Sequence, residues 1–130
     1  MKNIGVLIVV VFSIMACSDD DNANSADFEL LGTWKLIEIY SGPDDGSGDF
    51  VAKNSEKTIQ FNADGTLSSN ANLCDIFSGP LESSAGTYSE IEATISIIGC
   101  QSSSTFEIVG ANLIVSYSCI EFCQEKYVKL

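Results

Sequence analysis

Histidine and arginine are absent from the 130-residue chain, and its six cations are all lysines. Without histidine the chain lacks the commonest general base, the commonest metal ligand and the side chain that changes charge near neutral pH. Without arginine it lacks the planar fork that clamps carboxylates and phosphates. Most hydrolase, transferase and metalloenzyme templates lose a central part, so the composition argues against an enzyme. Positive charge is scarce as well: 18 acids face six lysines, for a net charge of −12. A phosphate backbone would be repelled, which argues against nucleic acid as a partner. An anionic membrane would be repelled too, so any membrane attachment has to come from something other than a basic patch.

What is present is enough for one domain and a leader, with 45% hydrophobic residues and 18% charged. The leader is residues 1–16. Lys2 precedes an apolar run, Ile4 to Phe12, interrupted only by Gly5. That run suits a secretory signal and falls well short of the roughly 20 apolar residues of a membrane-spanning helix. Ile14-Met15-Ala16-Cys17 then resembles the lipobox of bacterial lipoproteins, with a branched apolar residue, a small residue and cysteine at the cut. The resemblance implies cleavage before Cys17 and acylation there, which makes a lipid anchor in the membrane the first expected partner. Several acyl chains, at about 0.8 kcal/mol per buried methylene, hold far more firmly than one. Residues 17–26 read as an acidic tether. Asp19, Asp20 and Asp21 resemble the signal that sends some Gram-negative lipoproteins to the outer face of the outer membrane, so an outer-membrane, surface-exposed location is expected.

Five cysteines would be odd for a secreted domain, and lipidation of Cys17 leaves four. Cys74, Cys100, Cys119 and Cys123 then form an even set in an oxidising compartment, with three pairings open. Cys119 and Cys123 enclose three residues between strand-like runs, and a hairpin loop of that length would bring them into disulfide reach. The expectation is Cys119 with Cys123 and Cys74 with Cys100. A four-thiolate zinc site is the rival, disfavoured by the compartment and by irregular spacing.

Residues 27–130 form the domain. Asp27 to Gly32 reads as a short helical turn, with acids at its start and glycine at its end. Short β-rich runs follow: Thr33 to Tyr40, Lys57 to Phe61, Thr66 to about Ala71, Gly86 to Ser89, Ala93 to Ile98 and three more to the end. Strand one places Trp34 and Leu36 on one face, with Ile37 and Ile39 on the other. Asn62 to Gly65 is a hairpin connection with Gly65 at positive φ. A two-residue turn at Gly110-Ala111 pairs Ile108 with Leu113 and Phe106 with Val115, all on one face. Counting from the Cys119–Cys123 loop pairs Val115 with Tyr127 and leaves Glu125 and Lys129 as misfits, assigned to the barrel ends. The Ser41 to Ser55 segment reads as a long loop whose aspartates miss calcium-ligand spacing. The fold class is all-β: a small up-and-down antiparallel barrel of about eight strands with one N-terminal helical turn.

Leu31-Gly32-Thr33-Trp34-Lys35-Leu36 resembles the opening Gly-x-Trp strand of the lipocalin-like domain of bacterial lipoproteins. Thr58 to Thr66 is similar to that family's second hairpin, and Cys119 to Leu130 to its terminal Cys-x-x-x-Cys strand pair. The resemblance implies that Trp34 packs across the closed base. A META-type lipoprotein domain, also opening on Gly-x-Trp, is the nearest alternative. An eight-stranded barrel is just wide enough to be filled by side chains or to hold one small ligand. The expected function is capture of a small apolar ligand by Leu36, Phe61, Tyr88, Phe106, Val115, Tyr117 and Tyr127, with the 41–55 segment as lid. The alternative is a filled barrel serving as an envelope structural module or contacting a protein or glycan. No metal or cofactor is expected, and Glu90 and Glu92 read as solvated acids rather than a catalytic pair.

Overall fold

The computed structural model describes residues 30–43, 45–74, 82–119 and 123–130. The leader, Cys17, the tether and the first residues of the expected helical turn lie outside these ranges. Nine strands form one antiparallel sheet: β1 (Gly32–Ser41), β2 (Asp49–Ala52), β3 (Thr58–Phe61), β4 (Thr66–Ser69), β5 (Ser84–Ser89), β6 (Thr94–Ile97), β7 (Ser104–Val109), β8 (Asn112–Tyr117) and β9 (Cys123–Lys129). Neighbours in sequence pair from β3 onward, and β9 returns to β1, so eight strands close an up-and-down barrel. Closure leaves no open sheet edge around the ring. This is the architecture of a small lipocalin-like barrel.

β2 falls within the expected 41–55 loop and pairs with the far half of β1, Glu38 with Ala52 through Ser41 with Asp49. β3 pairs with the near half, so β2 and β3 together line one edge of β1, separated by residues 53–57. The segment therefore contains a strand that pairs with β1 outside the eight-stranded ring, with Asp49, Val51 and Ala52 exposed, and is not simply a loop. Its tip is fixed by Tyr40, whose hydroxyl donates to Pro43 O and accepts from Gly48 N at 2.7 Å. Leu30 is helical, in keeping with the expected turn, and Gly32, expected to end that turn, opens β1 at φ 119°.

Alternation explains most of the wall. Ile59 and Phe61, Leu67 and Ser69, Ile95 and Ile97, and Leu113, Val115 and Tyr117 all point inward and are buried. The turns follow their residues. Gly65 at φ 86° closes the β3–β4 hairpin, and Gly110 at φ 61° opens the two-residue β7–β8 turn, with Val109 opposite Asn112. Gly86 is required for another reason: a Cβ there would collide with the carbonyl oxygen of Ser96 on β6. Glycine lets the sheet fold tightly between β5 and β6.

Two registers differ from the sequence expectation. A bulge between Leu36 and Glu38 in the β1–β9 pairing turns Ile39 inward, away from the face it was assigned with Ile37. Val115 lies opposite Glu125, not Tyr127, which instead faces Leu113. Tyr117 pairs with Cys123, so the connection is two residues longer than a three-residue hairpin, and the register slips by two. A two-residue slip keeps every side chain on its expected face.

Chain direction sorts the connections into two ends. One end holds Leu30, the 62–65, 90–93 and 110–111 turns and the residue after β9. The other holds the connections that leave β1, β4, β6 and β8, together with both disulfides. Cys74 bonds Cys100 with a Cα separation of 5.2 Å, and Cys119 bonds Cys123 at 6.0 Å. Both are the expected pairs, which leaves none of the four thiols to a metal.

Candidate functional site

The barrel interior is where the seven residues expected to line a cavity come together. Leu36, Phe61, Phe106, Val115, Tyr117 and Tyr127 belong to one buried cluster, with Tyr88 packed against it. The Phe61 ring lies 5.1 Å from Tyr88, edge on, and 6.0 Å from Phe106. Such offset aromatic pairs add stabilisation beyond the area they bury. The Tyr88 hydroxyl donates to Asn62 O at 2.6 Å, tying its ring to the β3–β4 hairpin. Leu36, Phe61, Val115 and Tyr127 are each 3% exposed or less. A side chain bordering a ligand-sized void would present surface to it, and these four present almost none.

The end where β1 begins is stoppered: Trp34 is buried and its indole Nε1 donates to Leu30 O at 2.7 Å, while Leu30 itself joins the core. The Lys129 ammonium lies 5.7 Å from the Trp34 ring, so Lys129 stands at a barrel end as expected. At the opposite end Leu73 is buried in the core, next in sequence to Cys74, which is bonded to Cys100.

Glu125 is not at a barrel end. It alternates inward with Cys123 and Tyr127, is 1% exposed, and forms an ion pair with Lys57 at 2.8 Å. Lys57 enters through the interruption between β2 and β3. Its carbonyl accepts from Leu36 N, its own N–H donates to Ser55 Oγ, and the neighbouring Thr58 N–H is held by Asn70 Oδ1. This backbone anchoring aims the ammonium into the barrel, where it also lies 3.5 Å from the Tyr117 hydroxyl and 5.3 Å from the Tyr117 ring. The Tyr127 hydroxyl donates to the same Glu125 oxygen, Oε1, at 3.4 Å, and sits 3.4 Å from the Tyr117 hydroxyl. Four side chains from β8, β9 and the 53–57 connection thus form one polar knot inside a largely apolar barrel. Burial, reinforced by the neighbouring Tyr127 and Glu125, pushes the Tyr117 phenol well above its ordinary value. Burial and Glu125 do the same for Tyr127. Both tyrosines are therefore neutral hydrogen-bonding groups at any physiological pH.

The knot has no nucleophile positioned beside a base, and its charges neutralise each other. What it can do chemically is hold position. Transferring a single charge into such surroundings is costly, whereas a hydrogen-bonded pair is tolerated. Sequence reasoning placed Tyr117 and Tyr127 here but missed Lys57 and Glu125. The available signal was parity: Lys57 alternates with Ile59 and Phe61, and Glu125 with Tyr127, so one charge of each sign falls on the inward face.

The outer wall carries a groove of about 570 Å³ across β4, β5 and β6, lined by residues that include Ser68, Thr87, Ser96 and Ile98. Its polar lining is uncharged. No lysine occurs anywhere in residues 58–125. Glu90 and Glu92 stand on the β5–β6 turn, and the Glu92 N–H is held by Ser89 Oγ. Asp45, in the 42–48 tip, accepts from the Ser47 side chain and from the Ser47 N–H, and these contacts lower its carboxyl from the ordinary value. Comparison of the chain with protein-family models, with curated proteins and with solved structures gives no match.

Proposed function

We propose that this chain is a lipid-anchored, surface-exposed outer-membrane lipoprotein that displays a filled lipocalin-like barrel as a non-catalytic interaction module. The observation that carries the second half of the reading is the near-zero exposure of the side chains that would have to line a ligand cavity. Support for the anchor is the lipobox-like Ile14 to Cys17 junction, together with a cysteine set that pairs completely once Cys17 is set aside. The neutral, mainly apolar groove across β4–β6, with serine and threonine hydroxyls along it, is the surface offered to a partner protein or glycan.

Capture of a small apolar ligand is the second reading, favoured by closure of the ring at eight strands, the width that can hold one small ligand. Native mass spectrometry of the detergent-extracted protein separates the two readings. A mass equal to polypeptide plus acyl chains supports the filled barrel, and a co-purifying small molecule supports capture. Labelled palmitate incorporated into wild-type protein but not Cys17→Ser tests the anchor, and antibody labelling of intact cells tests surface exposure.

A further inference from the structure

β2 stands outside the closed ring, and among the described residues β1 is its only neighbour in the sheet. The Lys53 N–H donates to Ile37 O at 2.8 Å, in step with the pairs Val51 with Ile39 and Asp49 with Ser41. The backbone groups of Asp49, Val51 and Lys53 therefore turn towards β1, and those of Phe50 and Ala52 point away from it, out of the open edge. The strand is held firmly for such a short one. The Phe50 ring meets Tyr40 edge-on at 6.0 Å and lies 4.2 Å from the Lys126 ammonium. Asp49, Val51, Ala52 and Lys53 are all exposed, Val51 at 55%. An open edge carrying an uncovered valine is a template for one more strand.

The residues of this edge select the strand that fits it. In Asp49-Phe50-Val51-Ala52-Lys53 an acid stands before the valine and a base stands at the same distance after it. Laid antiparallel on a copy of itself about Val51, the segment sets Asp49 against Lys53 and Phe50 against Ala52, and each contact occurs twice. The outward backbone groups of Phe50 and Ala52 then meet as hydrogen-bonded pairs, while Val51 meets Val51 in the closer, non-hydrogen-bonded pair. Alternation puts Asp49, Val51 and Lys53 on one face, so the valine contact is flanked on both sides by opposite charges. Moving the register by two residues either way sets a charge against Val51 instead.

We infer that two copies of this chain associate through their β2 edges, antiparallel and two-fold about Val51, to form one continuous sheet. The contact is isologous, with the same patch used on both copies. A lysine on an edge strand ordinarily deters addition of another strand. Here Lys53 meets Asp49 of the second copy, and neither residue has an ion partner among the described residues of its own chain. So short a pairing buries less than a permanent interface requires, which makes the dimer a reversible one. It uses none of the residues of the β4–β6 groove and does not depend on the lipid anchor.

The test uses the full-length chain expressed in a Gram-negative host, purified in detergent and mildly oxidised at low ionic strength, where exposed ion pairs are least screened. Val51→Cys is expected to form a disulfide dimer roughly fivefold faster than Ile98→Cys, an exposed position beside β6. Only a residue on the two-fold axis meets itself, at about 4.5 Å between Cα atoms, within disulfide reach. Adding Asp49→Lys should bring the Val51→Cys rate down to that of Ile98→Cys, because two lysines then face each other. Adding Asp49→Lys and Lys53→Asp together should restore at least half of the rate, because the exchange re-forms both ion pairs with their signs reversed. Equal rates at 51 and 98 overturn the dimer. A Val51→Cys rate that ignores Asp49→Lys, or that the exchange fails to restore, overturns the register, and a product linked to a different protein overturns the choice of a second copy. Sedimentation of the chain without an added cysteine gives a second measurement: a concentration-dependent dimer, lost in Asp49→Lys and regained on exchange, supports the pairing, and a dimer indifferent to both substitutions overturns it.

Discussion

The seam where β9 meets β1 and the wall from β4 to β7 are built on different terms. Every lysine beyond the leader lies on β1 or β9 or in the 53–57 connection beside β1: Lys35, Lys53, Lys57, Lys126 and Lys129. There Lys126 pairs with Glu38 at 2.7 Å and covers the Phe50 ring at 4.2 Å, Lys35 approaches Glu56, and Lys57 reaches through to Glu125. The wall has no cation, and its outward positions carry Ser68, Thr87, Ser96 and Thr105. The difference follows from chain separation. Wall strands are joined by connections of four to 14 residues that keep paired strands close in sequence, whereas the seam joins strands roughly 90 residues apart and has no such connection to set its register. Opposite charges supply the missing specification. A one-residue slip of β9 would carry Glu125 to the outside and leave the Lys57 ammonium buried alone.

The sharpest way to break this contrast is to remove one half of the inner pair. Glu125→Leu is expected to cost about 3–5 kcal/mol in urea unfolding, because it strands Lys57, while Lys57→Met with Glu125→Leu should recover most of that loss. A double variant as unstable as the single would mean that the pair itself stabilises the seam. Removing the Cys74–Cys100 bond by paired Cys→Ser substitution should cost about 3.5 kcal/mol through the longer loop it frees, with the seam register unchanged in amide exchange. On the wall, Gly86→Ala should cost about 1–3 kcal/mol, since its methyl meets the Ser96 carbonyl.

High pH separates the regions further. Tyr117 and Tyr127 hold their protons in the folded protein beyond the pH at which the unfolded chain releases them. Their contribution to stability is therefore complete below about pH 10 and falls as pH rises above it, by about 1.4 kcal/mol per unit for each phenol. Their phenolate absorbance should appear together with the loss of folded circular dichroism, and its earlier appearance would contradict the buried knot. The smallest effect is expected outside the seam, where Lys126→Ala should cost about 0.5–1 kcal/mol and less at high salt.

Much of the wall was legible because its rules are local. Ile59 and Phe61, or Ile95 and Ile97, announce an inward face by alternation, and Asn62 to Gly65 and Gly110-Ala111 announce their turns. The interior residues were identified for the same reason. Features that depend on the partner strand were not legible. The bulge at Ile37 appears only against β9, and the five-residue connection between Tyr117 and Cys123 only once the strands are paired. β2 reads as loop because Asp49-Phe50-Val51-Ala52 is short, follows a Gly- and Asp-rich stretch and alternates weakly; pairing with β1 makes it a strand. Glu125 was assigned to an end because a charge on an apolar face suggests solvent, and its partner lies 68 residues away.

The lysine-free stretch from residue 58 to residue 125 has one more consequence. A protease that cuts only after lysine or arginine finds no bond to attack in β3 to β8, whether that part of the chain is folded or not. The bonds it could use lie on either side of the closing strands, where backbone pairing withholds them from an extended-peptide active site. Trypsin-like digestion should therefore spare the folded barrel and, once the unreduced chain is unfolded, release one large disulfide-linked fragment running from Thr58 to Lys126.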